Sequence, residues 1–175
     1  ATVVNLTKTA SGRAMESYGV KFTMVAAILL VPVTLGSLFA SVSAFGGGNE
    51  LAHISGTLDT LFLWGIIAMI CLSGAHILFP HVSGRSLFSS AKTRLSFWLA
   101  TFAIIGFASS QFISDYVNHS ISSPDVVAAL DGAEVVASGA SEVQIFAAMM
   151  FYGLVLAGIF TGQNMLQGSY RGTLL

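Results

Sequence analysis

Residues 57–100 read TLDTLFLWGIIAMICLSGAHILFPHVSGRSLFSSAKTRLSFWLA: an apolar run, a proline, a Gly-Arg pair, a short basic loop, and a second apolar run opened by Phe-Trp. The first run, 57–79, carries one charge, Asp59, over the ~20 residues a helix needs to cross a bilayer. The loop after it holds Arg85, Lys92 and Arg94, three of the seven basic residues in the chain. The predicted unit is two membrane helices joined by a tight basic turn.

Working outward, three further windows have the same character. Residues 22–45, 95–114 and 143–162 are each long and free of charge. The whole chain is 54% hydrophobic and 9% charged over 175 residues, whereas a soluble domain is roughly 25% charged. The expected fold is all-α, an integral membrane bundle of four helices at about 22–45, 57–79, 95–114 and 143–162, in one membrane domain. The first run is longer than the ~7–15 residue core of a signal peptide, and Pro32 and Gly36 are ordinary inside membrane helices. It is therefore expected to be a retained helix.

Charge sets the expected orientation, because short loops rich in Lys and Arg stay on the cytoplasmic side. Lys8, Arg13, Lys21, Arg85, Lys92, Arg94 and Arg171 fall in the N-terminal tail (1–21), the loop after the second helix, or the C-terminal tail. Residues 46–56 and 115–142 contain no Lys or Arg and hold Glu50, Asp115, Asp125, Asp131, Glu134 and Glu142. Both termini are thus expected in the cytoplasm, with the chain multi-pass in an inner (plasma) membrane.

The GGGNE stretch at 46–50 predicts a turn ending the first helix. In the long outer segment 117–142, Ser123 is placed to cap a short surface helix opened by Pro124 and Asp125 and stopped at Asp131-Gly132. Val126, Val127 and Leu130 of that helix would turn toward the membrane. Gly158 and Gly162 form a Gly-xxx-Gly pair suited to close helix approach. The single Cys71 excludes a disulfide framework and a thiolate cluster and is expected to be a small core residue. A formal net charge of −1 gives no sign of nucleic-acid binding, and neither a phosphate loop nor a catalytic triad spacing occurs. No catalytic residue and no metal site is assigned.

Ionisable groups within membrane segments are costly and mark candidate function. His53 and His119 fall at one depth on neighbouring antiparallel helices, so they are candidate axial ligands for a b-type haem. Ordinary interfacial histidines, flanked by Glu50, Ser55, Asn118 and Ser120, are the alternative. His76 and His81 are five residues apart and turned about 140° on a helix, so they share no ligand face. His76 is placed to approach a cofactor or quinone near the inner surface. Asp59 is a candidate proton relay, or accepts hydrogen bonds from Thr57, Thr60 and a neighbouring subunit.

AHISGTLDTLFLWGIIAMICLSGAHILFPHVSGRSLFSSAKTRLSFWLA, residues 52–100, resembles the late helices of the catalytic subunit of haem-copper oxidases and nitric oxide reductases. Pro80, Gly84 and Arg85 match the turn of that family, and Phe97, Trp98 and Leu99 its next helix start, with Ser96 where the family often has His. The likeness spans about 50–116. The resemblance implies that the proline ends the helix, the glycine permits the turn and Arg85 anchors it in lipid headgroups. This chain departs from the family at Ala52-His53-Ile54-Ser55-Gly56, which has one histidine where the family has a pair. The copper ligands of the family lie on earlier helices without a counterpart here.

The expectation is accordingly an accessory membrane subunit of a respiratory electron-transfer complex, packed in lipid against larger redox subunits and lining a quinone or haem site. Isolated, it would bind no haem and do no chemistry; haem b would belong to the complex. Trp64, Phe97 and Trp98 would meet the helices of the partner. Two other classes stay open: a small b-type cytochrome using His53 and His119, and a structural or assembly protein without a cofactor.

Overall fold

A computed structural model describes residues 17–45, 54–121 and 133–174, with backbone alone at 43–45, 118–121 and 133–141. The described chain is helical: α1 (Tyr18–Phe45), α2 (Ser55–Thr60), a π-helical segment (Leu61–Ile67), α3 (Ala68–Ser83), α4 (Ser90–Ile121) and α5 (Ala133–Arg171). α2, the π segment and α3 are continuous and make the second span. Among the described residues four helices are long and apolar enough to cross a membrane, so this is a multi-pass membrane protein by its architecture. The tail 1–16, the turn 46–53 and the proposed surface helix at 124–130 lie outside the described residues.

Helix limits differ from the hydropathy windows in one direction. α1 starts at Tyr18, inside the expected tail, and α5 runs nine residues beyond 162 and begins at Ala133 rather than 143. The expected outer loop of 117–142 is thereby cut, since α4 continues to Ile121. Backbone amides gain from pairing at any depth, so helices persist into the interface after apolar side chains have run out.

Pro80 does not end the second span. It sits in the last turn of α3, and the helix stops at Gly84, whose φ of 63° is the left-handed conformation that a side chain disfavours. The Gly84 N–H donates to the Pro80 carbonyl at 3.0 Å.

Helices consecutive in the chain run antiparallel, as their contacts record. Along α4 and α5, Ser89 meets Asn164, Ser96 meets Ala157 and Thr161, and Gly106 lies against Met150. Between α1 and the second span, Gly19 lies against Ile77, Leu29 against Gly65, and Gly36 against Leu58. The core contains Phe22, Ala26, Met69, Ala100, Ile104 and Ala157, all 2% exposed or less. Phe97 packs edge-on to Phe22 at 5.1 Å, so it belongs to this core rather than to a partner-facing surface. Small residues dominate because lipid offers no hydrophobic drive, and close backbone approach supplies the dispersion energy instead.

The π segment solves a register problem. Buried Ile66, Met69, Ser73 and His76 recur at steps of three and four, one face of an α-helix. Thr57, also buried, lies nine residues before Ile66, about two and a half α-turns. A plain α-helix would set it on the far side. Turns closed by i→i+5 bonds take more residues, as in the Ala68 N–H bonded to the Leu63 carbonyl, and both positions face inward.

Candidate functional site

The end of the bundle that carries Arg85, Lys92 and Arg171, called the inner end after the orientation expected from charge and its opposite the outer end, gathers most of the polar chemistry. The turn after α3 is clasped by the C-terminal segment: Ser86 N–H donates to the Thr173 carbonyl at 3.0 Å, and the two hydroxyls meet at 2.8 Å. Arg85 pairs with Leu174 through the backbone and its guanidinium donates to the Tyr170 carbonyl at 3.4 Å. The arginine expected to anchor the turn in lipid headgroups therefore also holds the C-terminal tail. Lys92 Nζ donates to Gln167 Oε1 at 2.8 Å. Arg85 and Lys92 are thus brought to one end of the fold with the last turn of α5, which bears Arg171.

Beneath them lies a buried ladder that sequence reasoning missed. Asn164, 0% exposed, accepts from Ser89 N–H at 2.8 Å through Oδ1 and donates through Nδ2 to the Ser89 carbonyl at 3.0 Å and Thr93 Oγ1 at 2.9 Å. One turn deeper Ser96 Oγ, also fully buried, donates to the Ala157 carbonyl at 2.8 Å and lies 2.7 Å from Thr161 Oγ1. The signal was present in the sequence: Ala157, Thr161, Asn164 and Gly168 are spaced four, three and four, a single face of small and polar residues.

His76, 5% exposed, is buried at this same end, where it shares a cavity with Ser90 and Thr93. Its Nδ1 is 2.8 Å from the Leu72 carbonyl, its ring lies 5.1 Å from that of Phe22, and Nε2 is buried without a hydrogen-bond partner. His81 is exposed, with Nδ1 against the Ile77 carbonyl. The two rings therefore do not converge.

The outer half is organised differently. Thr57 Oγ1 donates to Asp115 Oδ2 at 2.6 Å, tying the second span to α4. Thr57, one of the donors the sequence offers Asp59 as the alternative to a proton relay, is spent on Asp115. Asp59 is exposed and has no hydrogen-bond partner among the described residues; it lines a groove of about 490 Å³ with Thr34, Ser37, Leu38, Ser41 and Phe62. Thr34 and Ser41 donate their hydroxyl protons to carbonyls of their own helix, so neither offers a donor to the carboxyl.

His53 lies outside the described residues, and His119 falls within the backbone of α4 rather than beyond its end. Among the described residues no cluster of three His, Cys, Asp or Glu side chains could share a metal ion. Cys71 is exposed, not a core residue, and lines an apolar groove with Trp64, Phe151, Val155 and Gly158. A Cβ built on Gly158 or Gly162 meets nothing within 4 Å, so neither glycine is in close approach to another helix of the chain. Comparison with known proteins gives no match to any family model, curated protein or solved structure.

Proposed function

We propose that this chain is an accessory, non-catalytic membrane subunit that packs against a larger redox subunit of a respiratory electron-transfer complex in the plasma membrane. The observation that carries the reading is the Asp59 carboxyl on an outward groove whose Thr34 and Ser41 hydroxyls are spent on their own helix. A charge at the centre of a membrane helix costs roughly 2.5–3.5 kcal/mol and less near the end of a span, where Asp59 sits; a helix from another chain bearing a donor lowers that smaller cost. The open Gly158 and Gly162 face, beside outward Trp64, offers a second line of close approach. The redox class rests on the resemblance of Pro80, Gly84, Arg85, Phe97 and Trp98 to the closing helices of oxidase catalytic subunits.

The basic end faces the cytoplasm in this reading, since Arg85, Lys92 and Arg171 share it, and both termini do too. Haem b belongs to the complex. The test is gentle solubilisation of native membranes, followed by a reduced-minus-oxidised spectrum of the isolated chain and of whatever co-purifies. A haem-bearing partner with a spectrally silent chain is expected. A chain that emerges alone and monodisperse removes the subunit reading, and a haem on the chain itself, lost in His53→Ala or His119→Ala, replaces it with a small cytochrome.

A further inference from the structure

The inner end concentrates positive charge that no carboxylate among the described side chains neutralises. Lys21, Arg85, Lys92, Arg94 and Arg171 fall at this end, whereas the described acidic side chains, Asp59, Asp115 and Glu142, all belong to the outer half. The partners of three of these cations are neutral: Arg85 donates to the Tyr170 carbonyl, Lys92 to the Gln167 amide oxygen, and Lys21 lies 4.4 Å from the centroid of the Tyr18 ring. A guanidinium and an ammonium so placed keep most of their N–H donors and their whole charge. The loop between α3 and α4 is short, so these charges are held at the level where the apolar spans end.

Two of the five are brought to one place. Arg85, after α3, and Lys92, in the first turn of α4, both reach the last turns of α5, at Tyr170 and Gln167, positions about 4.5 Å apart along a helix axis. Both side chains are half-buried, so they are positioned rather than free in solvent. Arg94 does not join them: two residues on from Lys92, it is turned about 200° around α4, and it is exposed. Below the pair the surface is apolar, with Leu95 one turn deeper than Lys92 and Leu166 beside Gln167, both more than half exposed. Cations over apolar surface at the membrane boundary match a phosphodiester carried on acyl chains, and headgroups lie at this depth in either leaflet. A soluble acidic segment would use the charges and leave the leucines uncovered. We propose that Arg85 and Lys92 form a headgroup site for an anionic phospholipid, its phosphodiester taking their free N–H donors and an acyl chain lying on the apolar surface below. The site needs neither a partner subunit nor a given orientation of the chain.

The full chain is placed in nanodiscs of phosphatidylcholine and phosphatidylglycerol in equal parts, released into detergent and weighed with its retained lipids by native mass spectrometry. Phosphatidylglycerol should be retained about tenfold over phosphatidylcholine. Arg85→Gln and Lys92→Gln should each cut that ratio about fivefold, whereas Arg94→Gln, the same change of charge, should alter it by less than about twofold, all with helical content unchanged. No preference in the unchanged chain, or a loss in Arg94→Gln equal to that in the other two variants, means diffuse attraction alone and overturns the site. Displacement of the retained lipid by millimolar inorganic phosphate would assign the pair to a free anion and overturn the lipid as its occupant.

Discussion

The two ends of the α4–α5 pair are built on opposite principles. At the inner end every polar group of Ser89, Thr93, Ser96, Thr161 and Asn164 in the ladder finds its partner within the chain, and the C-terminal tail closes over it. Toward the outer end the helices part around a cavity of about 510 Å³ lined by Trp64, Phe107, Gln111, Gln144 and Phe151, and Asp59 stands on a separate outward groove. Satisfied polar groups let one end stand alone in lipid. On the outer groove Asp59 has no hydrogen-bond partner among the described residues, and at the inner end the buried Nε2 of His76 has none either.

The sharpest way to break this contrast is Asn164→Leu. Interhelical hydrogen bonds in membranes are worth on average about 0.6 kcal/mol and at most about 1.7 kcal/mol each. Asn164 makes three, and its loss strands the Ser89 amide at a helix start, while the Ser89 carbonyl keeps the Thr93 N–H and hydroxyl. A destabilisation of about 2–3 kcal/mol is expected, read as a lower unfolding midpoint in detergent. A midpoint equal to that of the unchanged chain would mean that the inner end does not hold itself together.

The spans were legible because hydropathy and helix length obey one physical constraint, the thickness of the bilayer. Their ends were not, because the turns around Tyr18 and from Thr161 to Arg171 are held by backbone pairing and polar contacts that hydropathy does not register. The π segment was invisible, since LFLWGII carries no residue that distinguishes i→i+5 from i→i+4 pairing; only the need to bury both Thr57 and Ile66 requires it. His76 was legible as a position and not in its bonding: sequence places it near the inner surface, but the Nε2 left without a partner follows from the Leu72 carbonyl and the neighbours. Asn164 was overlooked because it falls just outside an apolar window, although its helical spacing to Thr161 and Ala157 marked the face.

A smaller effect tests the one strong tie of the outer half. Thr57→Val keeps the volume and removes the donor to Asp115 at 2.6 Å. The carboxyl lies near the outer ends of the helices, where water can replace the lost bond, so a cost of about 1 kcal/mol or less is expected in the same unfolding measurement. A loss as large as that of Asn164→Leu would place a second self-sufficient anchor in the outer half and erase the asymmetry.

The smallest effect on the isolated chain, and the most telling, is expected from Asp59→Leu and Gly158→Leu. Asp59 has no hydrogen-bond partner among the described residues and borders an open groove, so leucine removes a carboxyl whose burial in lipid is unfavourable and breaks nothing inside the chain. Gly158 has open space where a side chain would go, and leucine is also the better helix former. Both variants should therefore unfold within about 0.5 kcal/mol of the unchanged chain, or slightly above it, because surface substitutions away from packed or polar contacts rarely exceed that. In solubilised native membranes the same two variants should dissociate from the partner, Asp59→Leu by loss of the acceptor and Gly158→Leu by holding the helices apart. Size-exclusion profiles that keep the complex intact in both would show that neither face is an interface, whereas an isolated chain that unfolds in both would show that these faces are closed by its own helices.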